Sequence, residues 1–369
     1  MEGPRPPLDN EFSNVVSFLD SHLRPKEEWS ITSEYPVAFA EGNRGNIRII
    51  TEQNQVLAHA VTRPMIVKAP AGLFKVAGLG SVVTSTDHRN QGLSTKTIES
   101  CLEAARAHGC DFAILWTNLY DFYRKMGFEL GGSEMSAVLD RDLVTKDENK
   151  KEEIALKFIE GNRVAPEAIH RLYNQHTVIS LRTVEETRKC LQIPNSRVYT
   201  AWDPQGQLRA YAIEGKGADL NGYIHEWGGG ISSLIPLLNH IRQAQKRPIT
   251  VIIPAHSKNL LRTLESQKVI VNQGFLGMIK ILNPTNLFAK IKRHARNLGV
   301  PDLVLERQGG KIFFGANDQI FSTESESDIV RLIFGPQKAS EIHDFGKEAA
   351  ETMEKIFPLH LWVWGWDSI

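Results

Sequence analysis

The run from Val82 to Phe128, VVTSTDHRNQGLSTKTIESCLEAARAHGCDFAILWTNLYDFYRKMGF, constrains the fold more than any other stretch of the chain. It opens on the β-branched residues Val82, Val83 and Thr84, turns through a polar segment, and starts a helix at Leu93. Leu93, Thr97, Ile98, Cys101, Leu102 and Ala105 follow at the spacing of one buried helical face. Gly109 suits a left-handed C-terminal cap. The apolar run Phe112 to Trp116 then reads as a strand buried on both faces, so the unit is strand, turn, helix, parallel strand.

Chemistry can be placed in the turn, Arg89 to Ser94. The first turn of a helix carries backbone N–H groups with no preceding carbonyls to bond, and Gly92 lets an anion approach the backbone. The helix dipole adds roughly 0.3–1 kcal/mol for a negative group. Arg89 supplies a forked cation at the rim. A diphosphate fits this place. On the same run, DFYRKMGFEL (Asp121 to Leu130) sets a tyrosine one turn before a Gly-Phe pair, with Tyr120 as an alternative tyrosine one turn earlier.

RNQGLS resembles the R/Q-x-x-G-x-G/A signature of the GCN5-related N-acetyltransferase (GNAT) superfamily, with Ser94 where Gly or Ala is usual, and YRKMGF resembles its second signature. The resemblance implies that Arg89, Asn90, Gln91, Gly92, Leu93 and Ser94 bind the pyrophosphate of acetyl-CoA. It further implies that Val82, Val83 and Thr84 offer backbone groups to the pantetheine arm and thioester, and that Tyr123 is the general acid for the departing thiolate.

The 369 residues are too many for one ordinary core and point to two or three domains. Lys plus Arg and Asp plus Glu both number 43, so no global field favours nucleic acid or an anionic membrane. The three cysteines, Cys101, Cys110 and Cys190, lack metal-ligand spacing, and no metal is expected. Met1 to Asn10 is Pro-rich and reads as disordered, without the apolar core of a signal peptide, and no long apolar run follows. These features predict a reduced, soluble, cytoplasmic protein without a membrane span.

Taken in order, Phe12 to Leu23 lays out an amphipathic helix, Ile47 to Val67 a hairpin, and a third run leads through Gly78 and Gly80 to Val82. This is the order a GNAT domain requires, over residues 11–145, and KDENKKEE (Lys146 to Glu153) reads as a solvated linker. From Ile154 a similar grammar begins again. It predicts a helical stretch to Tyr173, strands at Val198 to Asp203 and Leu208 to Glu214, a helix from Ile231, a strand Ile249 to Pro254, and a helix to Gln267. A second GNAT-like domain at 154–282 is expected, and it departs from the family where YIHEWGGGISSLIP lacks the pyrophosphate signature. Its triple glycine could cradle an anion, but Glu226 stands beside it and no tyrosine precedes Gly274-Phe275, which favours a non-catalytic partner.

Residues 283–369 alternate helices and short strands and resemble the sterol carrier protein-like domain closing the enhanced intracellular survival group of tandem GNAT proteins. The fold class expected is therefore α/β (α+β), two tandem GNAT-like mixed-sheet domains and a sterol carrier protein-like domain. The tail LHLWVWGWDSI is costly to expose and is expected in a cleft. In the resembled group the terminal carboxylate enters the first domain's site as base, which here implies Ile369 beside Tyr123. That group also forms homo-oligomers.

The activity implied is acetyl transfer from acetyl-CoA to a primary amine, either a small polyamine-like molecule or a protein amine. Two other readings stay open, an acyl-CoA-binding sensor or scaffold and a lipid carrier with structural acetyltransferase domains. Asp121, Glu134 and His88 read as solvated residues, and His59 and His225 as hydrogen-bonded structural histidines.

Overall fold

The structure, a computed structural model, describes residues 1–144 and 155–369, so the expected linker Lys146 to Glu153 lies outside the described residues. Among those residues the strands form three sheets. The first runs, edge to edge, through Glu2–Arg5, Ile47–Glu52, Gln55–Ala69, Gly72–Thr84, Phe112–Leu115, Gly277–Ile281 and Glu129–Gly131, with Ile179–Ser180 added beside Gln55–Ala69. The Pro-rich start is thus an ordered edge strand rather than a disordered segment. Pro4 is tolerated there because an edge strand leaves one side of its backbone unpaired.

Helix Leu93–Ala107 crosses between the parallel strands Gly72–Thr84 and Phe112–Leu115 and buries Leu93, Thr97, Ile98, Cys101, Leu102 and Ala105, the face its spacing predicts. Phe112–Leu115 is buried along its whole length.

The second sheet runs through Ile270–Gly274, Glu134–Leu139, Ile249–Pro254, Asp219–Gly229, Leu208–Lys216, Arg197–Trp202 and Lys157–Glu160. Two of its members differ from expectation. Lys157–Glu160 is an edge strand where a helical stretch was expected, the helix starting only at Pro166. Asp219–Gly229 is a strand that takes in the first two residues of the triple glycine, the third, Gly230, capping the next helix.

The halves also exchange a strand. Glu134–Leu139 pairs with Ile249–Pro254 and Ile270–Gly274, whereas Gly277–Ile281 pairs with Phe112–Leu115 and Glu129–Gly131. Neither 11–145 nor 154–282 therefore completes a sheet from its own strands. The chains cross where Leu276 N–H meets the Gly132 carbonyl at 3.4 Å. Gly132 has φ +74°, and a Cβ there would lie 2.5 Å from Leu276 Cβ, so the crossing needs glycine.

From Asn283 the chain forms helix Pro284–Asn297, a meander Val304–Gln308, Lys311–Ala316 and Gln319–Thr323, and helices Glu326–Phe334, Ala339–Ile342 and Lys347–Ile356. Helix Glu326–Phe334 packs on the first sheet, Phe334 lying 4.9 Å from the Phe112 ring. From helix Pro284–Asn297, Lys290 Nζ reaches buried Asp111 at 2.6 Å. The tail then returns through the molecule with Trp362, Trp364 and Trp366 buried. No helix among the described residues is long and apolar enough to cross a membrane.

Candidate active site

Gly72–Thr84 and Phe112–Leu115 are paired from Val76 opposite Phe112 to Gly78 opposite Ile114, and then part. Beyond Gly78 the longer strand keeps only Gln55–Ala69 as partner, and that pairing slips, from Gly80 opposite Val61 to Val83 opposite His59. Two residues, Ser81 and Val82, then face Ala60 alone, which is a β-bulge, and Ser81 takes φ 48°. The opened strand offers backbone groups over Gly80 to Thr84. Val82, Val83 and Thr84 lie in it as the sequence suggested. Ser81, the bulged residue, was missed, although the neighbouring Gly78 and Gly80 marked an irregular strand.

His59 holds this bulge. Its Nδ1 lies 2.8 Å from the Ser81 carbonyl, and burial pushes the imidazole down to about 4. The ring is therefore neutral at pH 7, with Nδ1–H donating. His59 is a structural histidine, as expected, and His225 is another, its Nε2 lying 2.9 Å from the Gly215 carbonyl.

At the end of the strand, Thr84 Oγ1 and Ser94 Oγ are 2.6 Å apart and tie strand to helix. Between them Arg89, Asn90, Gln91 and Gly92 are exposed, while Leu93 is buried and Ser94 half-buried. Asn90 and Gly92 take φ 62° and 74°, which turns successive N–H groups outward in the manner of an anion-binding nest. Nothing lies within 4 Å of a Cβ added at Gly92, so the approach is open. These features fit a pyrophosphate.

The two tyrosines separate by burial. Tyr120 is exposed, whereas Tyr123 is buried, stacked edge-on against Phe122 at 4.9 Å and Phe128 at 5.7 Å. It shares an apolar cluster with Leu79 and Val82 of the opened strand. Burial pushes the Tyr123 phenol up to about 12, so it is protonated at neutral pH. Asp121 is solvated and pairs with Arg124 at 3.4 Å. Glu134 belongs to the second sheet, opposite Pro254 and Gly274. His88 is half-buried in the loop, 3.5 Å from Ser85 Oγ.

The chain terminus reaches this opening. A Cβ added at Gly80 would lie 2.6 Å from the carboxyl carbon of Ile369 and 2.8 Å from its oxygen. The Ile369 side chain packs on the cluster of Val15, Leu19, Tyr35 and Phe39. In the second half the triple glycine serves a different end from anion binding. A Cβ at Gly228 would strike the Tyr211 ring at 2.5 Å, and one at Gly229 the Arg209 carbonyl at 2.2 Å, so close strand packing requires glycine. Glu226 is buried against Arg182, with Nη–Oε distances of 2.8 and 2.7 Å.

Residues 17–131 match the family model of the acetyltransferase (GNAT) domain. No curated protein matches the chain by sequence. Among solved structures, a GCN5-related N-acetyltransferase from Anabaena variabilis superposes with TM-score 0.64 at 14% identity over 99% of each chain. One from Kribbella flavida gives 0.61 at 13% identity over 97% of each. Eis1 from Mycobacterium abscessus gives 0.55 at 12% identity, over 85% of this chain and 87% of that one. Residues 17–131 are thus similar to an acetyltransferase (GNAT) domain, within a chain whose overall fold is that of these solved structures.

Proposed function

We propose that the chain transfers an acetyl group from acetyl-CoA to a primary amine in the opening of its first sheet. The observation that carries this reading is the placement of the Ile369 carboxyl against Gly80, beside the bulge at Ser81. Acetyl-CoA supplies the acetyl thioester. Arg89 to Ser94 hold its pyrophosphate on the helix N-terminus, and the backbone of Val82, Val83 and Thr84 lies along its pantetheine arm.

The terminal carboxylate of Ile369 takes a proton from the acceptor ammonium, leaving a neutral amine to attack the carbonyl. Backbone N–H groups of the opened strand receive the developing oxyanion. Collapse breaks the C–S bond, Tyr123 gives its proton to the thiolate, and the extra proton on the acylated nitrogen passes to the resulting phenolate, which leaves a neutral amide and restores Tyr123. Raised to about 12, the phenol is protonated at neutral pH, and the transfer of its proton to the weaker base thiolate is drawn forward by the proton the acylated nitrogen returns to it. Residues 283–369, the sterol carrier protein-like region of this reading, serve to bring the carboxylate across the molecule.

A short Gly-Ser tag appended after Ile369 tests the base and Tyr123→Phe tests the acid. Each is expected to lower turnover with a panel of primary amines by about 10²-fold or more while leaving calorimetric acetyl-CoA affinity unchanged. Turnover unaltered by the tag removes the carboxylate from the mechanism, and no acetyl-CoA binding to the untagged protein removes the activity.

A further inference from the structure

The second sheet opens in the same way as the first. Asp219–Gly229 and Ile249–Pro254 are parallel partners only at Tyr223 opposite Thr250 and Ile224 opposite Val251, and then part. Two residues past the last pair stands Glu226, the position that Gly80 holds in the first half. We propose that this second opening, whose equivalent in the first half would take acetyl-CoA, is a receptor site for an aromatic, acidic peptide: the chain's own C-terminal segment Trp364–Ile369.

Trp364, Gly365, Trp366 and Asp367 each meet a shaped partner there. Trp364 stands edge-on to Trp227 at 5.4 Å and donates from Nε1 to the Val178 carbonyl at 3.0 Å. Gly365 lies so close to His225 that an added Cβ would fall 2.0 Å from Nδ1, which leaves room for glycine alone. Trp366 Nε1 donates to Ser196 Oγ at 3.3 Å.

Asp367 is the polar anchor. It accepts from Arg182 Nε at 2.9 Å and Nη2 at 2.8 Å, from Arg63 Nη1 at 3.1 Å and from the Tyr173 hydroxyl at 3.2 Å. Arg182 is held from its other edge by Glu226. The two guanidiniums and two carboxylates balance, and all four groups are buried, so loss of Asp367 leaves uncompensated positive charge in the interior. Lys216 closes the site over the tail backbone, donating to the Gly365 carbonyl at 3.0 Å and to the Ser368 carbonyl. Only Ser368 separates Asp367 from Ile369, so this anchor sets where the terminal carboxylate arrives at Gly80. The second half would then have exchanged a cofactor for a peptide ligand that completes its neighbour's site.

Binding of the segment stands independently of the proposed function; only its effect on turnover rests on the carboxylate acting as base. A chain ending at Val363 is titrated with three synthetic peptides: Trp364–Ile369 as free acid, the same peptide amidated, and the free acid carrying Asp367→Asn. Calorimetry is expected to show the first two binding alike and the third at least tenfold more weakly, with turnover restored by the free acid alone. No binding of the free acid to a truncated chain that still binds acetyl-CoA overturns the receptor site. Restoration by the amide as well supports the receptor site while removing the carboxylate from catalysis.

Should the truncated chain not fold, full-length Asp367→Asn is compared with wild type for release of C-terminal residues by carboxypeptidase. Faster release from the variant supports the anchor, and equal rates overturn it.

Discussion

Gly80 and the buried histidines show how much of this molecule turns on single atoms. At Gly80 the backbone lies in an ordinary extended region, so alanine there is unstrained and its methyl has one effect, to occupy the space within 2.6 Å of the Ile369 carboxyl carbon. Gly80→Ala is expected to lower turnover at least tenfold and, because the methyl must displace the tail backbone, to lower unfolding free energy by about 1–3 kcal/mol. Steady-state rates beside urea melts check this, and wild-type turnover would show that the carboxylate need not rest at Gly80. The histidines set the pH range of stability. Burial lowers His59 and His176 from 6.5 to about 4, and His225 and His256 to about 3. The unfolded chain therefore binds protons below pH 6.5 that the folded chain refuses. Stability is complete above pH 6.5 and falls as pH drops toward 4, each such group contributing up to about 1.4 kcal/mol per pH unit. The urea midpoint is expected to fall between pH 7 and pH 5; a flat midpoint contradicts neutral burial.

At the scale of elements, the turn from Thr84 into helix Leu93–Ala107 was the most legible part of the chain, because both its signals are local. The bulge, the strand Asp219–Gly229 and the anchor of the tail were not. Glu226 reads only as a charge beside the triple glycine, and His225 as a structural histidine whose partner the sequence does not name; Arg182 and the Gly215 carbonyl are those partners, and Asp367 meets Arg182 across 185 residues of sequence. The expected helix before Tyr173 failed at Lys157–Glu160, where pairing with Arg197–Trp202 overrides a short and weak local preference. The legible turn gives a sharp test. Gly92→Glu puts a carboxylate among the outward N–H groups in open space, at a backbone φ of 74° that costs a side chain about 1 kcal/mol. Acetyl-CoA affinity is expected to weaken at least tenfold, about 1.4 kcal/mol, by calorimetry. Gly92→Asn, which tolerates the same backbone, is expected to bind within a few-fold of wild type. Equal affinity in all three proteins would move the pyrophosphate elsewhere.

The whole molecule is bound together by the exchanged strands, and here local sequence carried no information. EMSAVL and GMIKI are both short apolar strands that either sheet could accept, and only the crossing at Gly132 and Leu276 decides which sheet each joins. Gly277–Ile281 is an interior strand of the first sheet, between Phe112–Leu115 and Glu129–Gly131, so a chain ending at residue 144 lacks it and exposes two unpaired edges. The same fragment carries Glu134–Leu139 with both of its partners missing. Unpaired apolar edges of this kind drive aggregation. Residues 1–144 and 155–369, expressed separately, are therefore expected to be insoluble or oligomeric. Co-expressed, they are expected to copurify one to one, because each completes the other's sheet. Under the proposed function the pair recovers acetyl transfer as well, since the second fragment brings both the missing strand and the Ile369 carboxyl to the first fragment's Gly80. Size-exclusion chromatography with an amine acetylation assay reads both results. A monomeric 1–144 fragment that binds acetyl-CoA would show that the exchange is dispensable to the first half. A one-to-one complex without turnover would separate assembly of the sheets from placement of the tail.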